Sequence, residues 1–176
     1  MNSDTMSGEI QERDSVGVDE TLEPFDIPIT RHVVSVAMLG GLAGTVLMMP
    51  ILVGIPELLG LFTTTPITKF AGFAQFFGLE PTLALGIFLF GFGGTVVLPL
   101  TFLVLGAFLP PESPRYLRGA TFATFFWTGF VPAFWPDAGI LTIASFLVFS
   151  LLAHWVYGLT LGMVIHRVTG VPQHQV

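Results

Sequence analysis

Four long stretches of this chain are almost free of polar side chains, and the remaining residues are arranged around them. They run Val33–Val53, Thr82–Leu109, Gly119–Trp135 and Ala138–Ile165, and none holds an acidic or basic residue other than one histidine. A helix needs about 20 apolar residues to cross about 30 Å of hydrocarbon. The first, second and fourth stretches reach that length. The third, at about 17 residues, sits near the lower limit. It gains a turn if Tyr116–Arg118 joins it and the arginines snorkel to the interface. Soluble buried helices rarely repeat this length and apolarity four times. The pattern predicts an all-α fold: an integral membrane four-helix bundle with a short interfacial amphipathic helix between helices one and two.

That short helix is read from residues 57–80, the only sizeable connection on its side. Thr65-Pro66 reads as N-cap and first helical residue. Ile67, Phe70, Phe73 or Ala74, and Phe77 recur at helical spacing, and Gly78 follows as a stop. A re-entrant hairpin is the alternative. Non-helical backbone at membrane depth must be sheltered by protein, and four helices give little shelter. Trp135 and Tyr116 mark opposite interfaces of the third helix.

Charge adds the organisation and the orientation. Residues 1–31 hold eight acids and two bases, so the whole net charge of −6 lies there. Beyond residue 31, Glu57, Glu80, Glu112 and Asp137 cancel Lys69, Arg115, Arg118 and Arg167. Residues 1–31 read as a disordered acidic cytoplasmic tail, residues 32–168 as the four-helix transmembrane domain, and residues 169–176 as a short cytoplasmic tail. The acidity suits a halophilic, high-salt cytoplasm, or is simply an acidic tail. If four helices alternate, Arg13, Arg31, Arg115, Arg118 and Arg167 fall on one side and Lys69 alone on the other. The positive-inside rule then places both termini in the cytoplasm, and the cell membrane as the location. So few bases exclude a nucleic-acid partner. The chain has no cysteine, which excludes disulfides, thiolate metal sites and a Cys nucleophile.

Small residues then say how such helices meet, since backbones in lipid associate by close approach. Ala37, Gly40, Gly41, Gly44 and Thr45 stripe the first helix, and Gly86, Gly91, Gly93, Gly94 and Thr95 the second. Thr121, Thr124 and Thr128 stripe the third. Ser150, His154, Gly158 and Gly162 follow at steps of four in the last. Gly40, Gly44, Gly91, Gly94, Gly158 and Gly162 are the expected helix-packing positions. A polar path along the bundle axis is the other reading of these stripes. Pro50 and Pro99 each follow a Gly-Thr-Val, and Pro132 interrupts the third helix; each should kink its helix. Phe90-Gly91 aligns with Tyr157-Gly158, a faint repeat that sets Ile87 opposite His154.

Candidate chemistry is sparse. His154 is the one ionisable side chain deep in a span, which makes it a functional candidate by default. Tyr157 lies one turn along on the same face. His154 can serve as a neutral hydrogen-bonding group, a proton or ion relay, or a cofactor ligand. A haem or metal would want a second ligand at that depth, and His32, His166 and His174 lie at or beyond the cytoplasmic edge. A metal shared by His32 and His166, or copper on Met48-Met49, is the weaker alternative to headgroup contact and core packing. Glu57, Glu80 and Asp137 flank helix ends as solvated carboxylates, with Glu80 and Asp137 favouring helix N-termini. There is no nucleophile–base pair, and the glycines at 91–94 lie inside a span rather than in a phosphate-binding turn. No catalytic residue, metal or cofactor is expected, and the chain is read as not an enzyme.

The small-residue first helix, the interfacial segment and the run His154-Trp-Val-Tyr157-Gly158-Leu-Thr-Leu-Gly162 resemble a loose family of small four-helix prokaryotic membrane proteins of unknown function. The resemblance covers roughly residues 33–167. In that family a similar His-containing run often opens the second helix; here Ile87 stands at the matching position. Relatives in salt-loving archaea occur beside genes for a terminal oxidase, which implies an accessory role by association. The expected function is therefore a non-catalytic accessory or scaffold component of a membrane complex, such as a respiratory terminal oxidase. The alternative is a small oligomeric transporter or channel with a polar path past His154. Expected partners are the lipid bilayer, membrane-complex subunits or further copies of the chain.

Overall fold

A computed structural model describes residues 29–61 and 71–169. Four long helices make up the structure, with no strand among the described residues. Helix α1 spans Arg31–Leu58, α2 Leu83–Phe108, α3 Arg118–Ala133 and α4 Ile140–Thr169. Three of them, α1, α2 and α4, are long and apolar enough to cross a membrane. Both N-terminal caps follow the expected chemistry. The Thr30 hydroxyl accepts from the Val33 amide at 3.2 Å, and the Thr82 hydroxyl from Leu85 at the same distance. Thr82 thus caps α2, with Glu80 two residues before it.

The helices run up and down as an antiparallel ring. Over Arg31–Met49 of α1 the buried positions are Val33, Val36, Ala37, Gly40, Gly41, Gly44, Thr45 and Met48. That spacing of three and four puts them on one face. The face meets α4 with Gly40 beside Val164 and Leu161, and Gly44 beside Tyr157. It meets α2 with Gly41 against Pro99 and the Gly94 carbonyl. Helices α3 and α4 approach most closely at Gly119 and Gly158, where a Cβ on either would fall on the carbonyl oxygen of the other. A Cβ on Gly162 would meet the Tyr116 carbonyl.

Gly91 differs from the other five expected packing glycines. Among the described residues a Cβ there meets nothing within 4 Å, so no neighbouring helix packs against that side of Gly91, whereas Gly41 and Gly119 make two of the closest approaches. Ile87, set opposite His154 by the faint repeat, is 55% exposed.

The prolines act through π turns. In α1 the π turn is Pro50–Gly54, closed by Ile55 N–H donating to the Pro50 carbonyl, just before Pro56. In α2 it is Gly93–Val97, closed by Leu98 N–H donating to the Gly93 carbonyl, just before Pro99. A proline has no N–H to continue the ladder, so the preceding amide reaches back five residues instead of four. Pro132 lies in the last turn of α3, which ends on Ala133.

Arg118 overturns one expectation. It does not snorkel: it is 5% exposed, with Nε donating to the Pro111 carbonyl and Nη1 to the Ala107 carbonyl, both at 3.0 Å. The Ala107 carbonyl is one that α2 leaves open at its C-terminus, where the helix dipole favours a cation, and Pro111 lies in the connection that follows. Thr121 adds a hydrogen bond to the Pro110 carbonyl, which ties the α2–α3 connection down.

Of the expected interfacial helix, Thr65, Pro66, Ile67 and Phe70 lie outside the described residues. Beyond them, Gly72–Phe77 is a 3-10 helix, and Gly78 ends it in the left-handed conformation with φ of 71°. The acidic tail up to residue 28, and residues 170–176, also lie outside the described residues.

Candidate functional site

The two ends of the bundle are packed differently. Towards the α1 N-terminus, Phe122, Leu161 and Ile165 are fully buried, with Val33, Ala37, Phe102 and Leu103 around them. Phe102 and Phe122 meet with ring centroids 5.1 Å apart. This half is a closed core. Towards the other end α2 leaves the bundle: its first ten residues, Leu83–Phe92, bury only Gly86. Between that half of α2 and the second half of α3 lies a cleft of about 640 Å³. Its floor is Thr45 and Met48 of α1 with His154 and Tyr157 of α4, and Ala74, Phe77 and Leu79 lie over it.

His154 stands mid-way along α4 and is 8% exposed. Its Nδ1 lies 2.7 Å from the Ser150 carbonyl oxygen. A carbonyl only accepts, so Nδ1 carries the proton and Nε2 holds the lone pair. Among the described residues Nε2 has no hydrogen-bond partner, and the ring borders the cleft. Phe130 packs at 4.7 Å between ring centroids. Ser150, with no exposed surface, joins the two helices: the Trp127 indole N–H donates to its hydroxyl at 2.9 Å while its carbonyl holds His154. One turn nearer the closed end, the Trp155 indole donates to Thr124 at 2.8 Å. Such side-chain bonds across helices hold packing where the surroundings are apolar.

Tyr157 has a different task. Its hydroxyl donates to the Gly94 carbonyl at 2.7 Å. In a regular α-helix that carbonyl would take the Leu98 amide, but Leu98 bonds to Gly93. The next amide in the π register would be residue 99, a proline. The Gly94 carbonyl is therefore left open by its own helix, and Tyr157 supplies the donor that a buried carbonyl requires. Thr45 stands beside this contact. Its hydroxyl oxygen is buried without a hydrogen-bond partner and lies where a Gly94 Cβ would stand. A weak contact from the Gly94 Cα–H is what this geometry offers it.

The structure thus brings His154, Tyr157, Gly44, Gly94 and Gly158 into one region. His32 and His166 are both exposed at the opposite end, where His166 packs beside Tyr116 at 6.2 Å. Among the described residues no group of three or more His, Asp or Glu converges. Met48 is buried on the cleft floor and Met49 packs on the core. Sequence reasoning missed Trp127 and Trp155 as donors. Their partners Ser150 and Thr124 were visible as the polar members of the α3 and α4 stripes.

Residues 31–176 match a family of unknown function, DUF6789, and the chain belongs to that family. No curated protein and no solved structure matches the chain.

Proposed function

We propose that this protein is a multi-pass integral membrane protein whose four helices all cross the bilayer, with both termini in the cytoplasm, and that it is a non-catalytic accessory component of a membrane complex. One observation carries the membrane reading: the outer face of the bundle is apolar on every helix. Leu39, Val46, Leu58, Phe88, Phe125 and Leu141 are all more than half exposed, whereas the indole and tyrosine hydrogen bonds lie between helices. An apolar surface of this extent calls for lipid or partner helices. The short α3 fits the same frame. Its 16 residues rise about 24 Å, and the 3-10 turn Arg115–Leu117 that leads into it adds about 6 Å, close to a span of about 30 Å.

The accessory reading draws on what the site contains. His154 is fixed through Nδ1, and among the described residues the cleft walls are mostly phenylalanine, leucine and glycine. The cleft does reach His154, as a transport path would require, and that favours the second reading, an oligomeric transporter. A water-filled path needs polar partners along its length. Below His154 the bundle is shut by Phe122, Leu161 and Ile165, so a path would have to form between copies. Gentle detergent extraction from native membranes, followed by native-gel separation and mass spectrometry of the band, tests the proposal. Co-migration with other membrane subunits, such as those of a terminal oxidase, is the expected result. Migration alone or as a small homo-oligomer would reject it and move attention to flux assays in liposomes.

A further inference from the structure

We infer that the cleft is a binding site for a bilayer-dissolved molecule of the phenol class, a planar ring with a hydroxyl donor and an apolar tail, and that His154 Nε2 accepts its hydroxyl proton. The inference rests on the membrane reading above. Three features of the cleft define the ligand.

The first is the acceptor. His154 is more than nine-tenths buried, its tautomer is set by the Ser150 carbonyl, and its Nε2 lone pair has no partner among the described residues. That nitrogen opens on the cleft, and in apolar surroundings a hydrogen bond made there is worth more than in water. Tyr157 cannot supply one, because its hydroxyl proton is committed to the Gly94 carbonyl. The missing partner must bring an O–H or N–H of its own.

The second is the wall. Phe77, Phe90, Phe92, Phe126, Phe130 and Phe134 all line the cleft. Aromatic faces and edges favour a ring between them, whereas leucine walls would serve an acyl chain equally well. Among the described residues the lining includes no Lys, Arg, Asp or Glu. A charged headgroup, or a haem with its propionates, would find no counter-charge among them, which favours a neutral ligand.

The third is access. The exposed first half of α2 leaves the cleft open sideways, where lipid would lie in the membrane reading, so a tail can trail into the bilayer. A volume of about 640 Å³ is within the range of small-molecule sites, about 300–1,000 Å³.

The test uses the full chain labelled with ¹⁵N-histidine in phosphatidylcholine liposomes, with para-decylphenol as the probe. Solid-state NMR follows the His154 Nε2 signal, identified by its loss in His154→Leu. Para-decylphenol should shift that signal saturably. Para-decylanisole has the same ring and tail but no proton to donate, and should leave the signal in place. Decan-1-ol has a donor but no ring, and should need about tenfold more, a loss equivalent to one good contact. Gly129→Leu provides a second variant that keeps His154. Gly129 lines the cleft and a Cβ there meets nothing within 4 Å, so leucine should fill the site without displacing the fold and raise the para-decylphenol midpoint at least tenfold.

An equal shift with the anisole, or an equal midpoint with the alcohol, would overturn the assignment of ligand class. An unchanged midpoint in Gly129→Leu would place the probe elsewhere and overturn the site. No saturable shift, in protein that resists alkaline carbonate extraction, would reject the ligand and leave the membrane reading standing. Release of the protein by carbonate would overturn both.

Discussion

Removing the Tyr157 hydroxyl should cost stability only because Pro99 is a proline. Tyr157→Phe keeps the ring that packs beside Gly44 and removes only the donor to the Gly94 carbonyl. That carbonyl has no amide from its own helix, since Leu98 bonds to Gly93 and residue 99 has no N–H. Leaving a buried acceptor open costs about 1–3 kcal/mol. Side-chain hydrogen bonds between membrane helices measure lower, on average about 0.6 and at most about 1.7 kcal/mol. A value of about 1–1.5 kcal/mol is where the two ranges meet. The Pro99→Ala background is the control. With an N–H at residue 99, the π turn can relax and let Leu98 return to the Gly94 carbonyl, which then needs no tyrosine. Pro99→Ala has its own cost, because the ring packs on Gly41 and is fully buried; a double-mutant cycle removes that cost from the comparison. Reversible unfolding in mixed micelles, followed by circular dichroism, would measure all four proteins. The Tyr157→Phe penalty should shrink by about 1 kcal/mol in the alanine background. If the penalty is the same in both backgrounds to within about 0.4 kcal/mol, the scatter of independent sites, the link between Pro99 and Tyr157 does not exist.

Four further outcomes follow from the packing, each readable by thermal or denaturant unfolding. Gly158→Ala puts a methyl group onto the Gly119 carbonyl, and since backbone cannot step aside it should lose about 3 kcal/mol or fail to fold; Gly91→Ala, facing open space, should be neutral or stabilising by up to about 1 kcal/mol. Arg118→Met keeps the stem but removes the donors to the Ala107 and Pro111 carbonyls, and should lose about 2 kcal/mol; full stability would mean that those carbonyls are satisfied without it. Trp127→Phe and Trp155→Phe each delete one bond between α3 and α4 and should cost about 0.6 kcal/mol for the bond, additively, because the two bonds share no atom. Gly78→Ala strains a left-handed turn with φ of 71° and should cost about 1 kcal/mol.

The helices were legible because their signal is repeated many times over. Three long apolar stretches became α1, α2 and α4, and the faces of α1 and α4 were marked by small residues at steps of three and four. The sequence also singled out His154 and Tyr157 as a pair on one face. Other features depend on a partner that no local pattern names. Gly91 and Gly94 look alike along the chain, yet only Gly94 faces Thr45, because the register between α1 and α2 decides which glycine is used. Arg118 reads as a snorkelling arginine until α2 is seen to end beside it with open carbonyls. The prolines announced a disturbed ladder, but not that the disturbance would take the form of a π turn whose freed carbonyl is met by a tyrosine 63 residues on.

That last contact also accounts for where the cleft lies. From Pro99 onward α2 buries Pro99, Phe102 and Leu103 in the bundle, whereas the half before the π turn buries only Gly86. A proline with a π turn before it is a place where helices change direction. Tyr157 and Thr45 hold α2 at that place, one by a hydrogen bond to Gly94 and the other by contact with it. Upstream of this point α2 buries only Gly86, and the space between it and α3 stays open above His154. The device that satisfies the broken backbone is thus also the hinge of the cleft. Tyr157→Phe should therefore do more than lower stability: by releasing α2 at Gly94 it should alter the size of the cleft, and with it the para-decylphenol midpoint, although Tyr157 donates no hydrogen bond to the ligand. A change in midpoint for Tyr157→Phe that disappears in Pro99→Ala would tie the two roles to one backbone carbonyl.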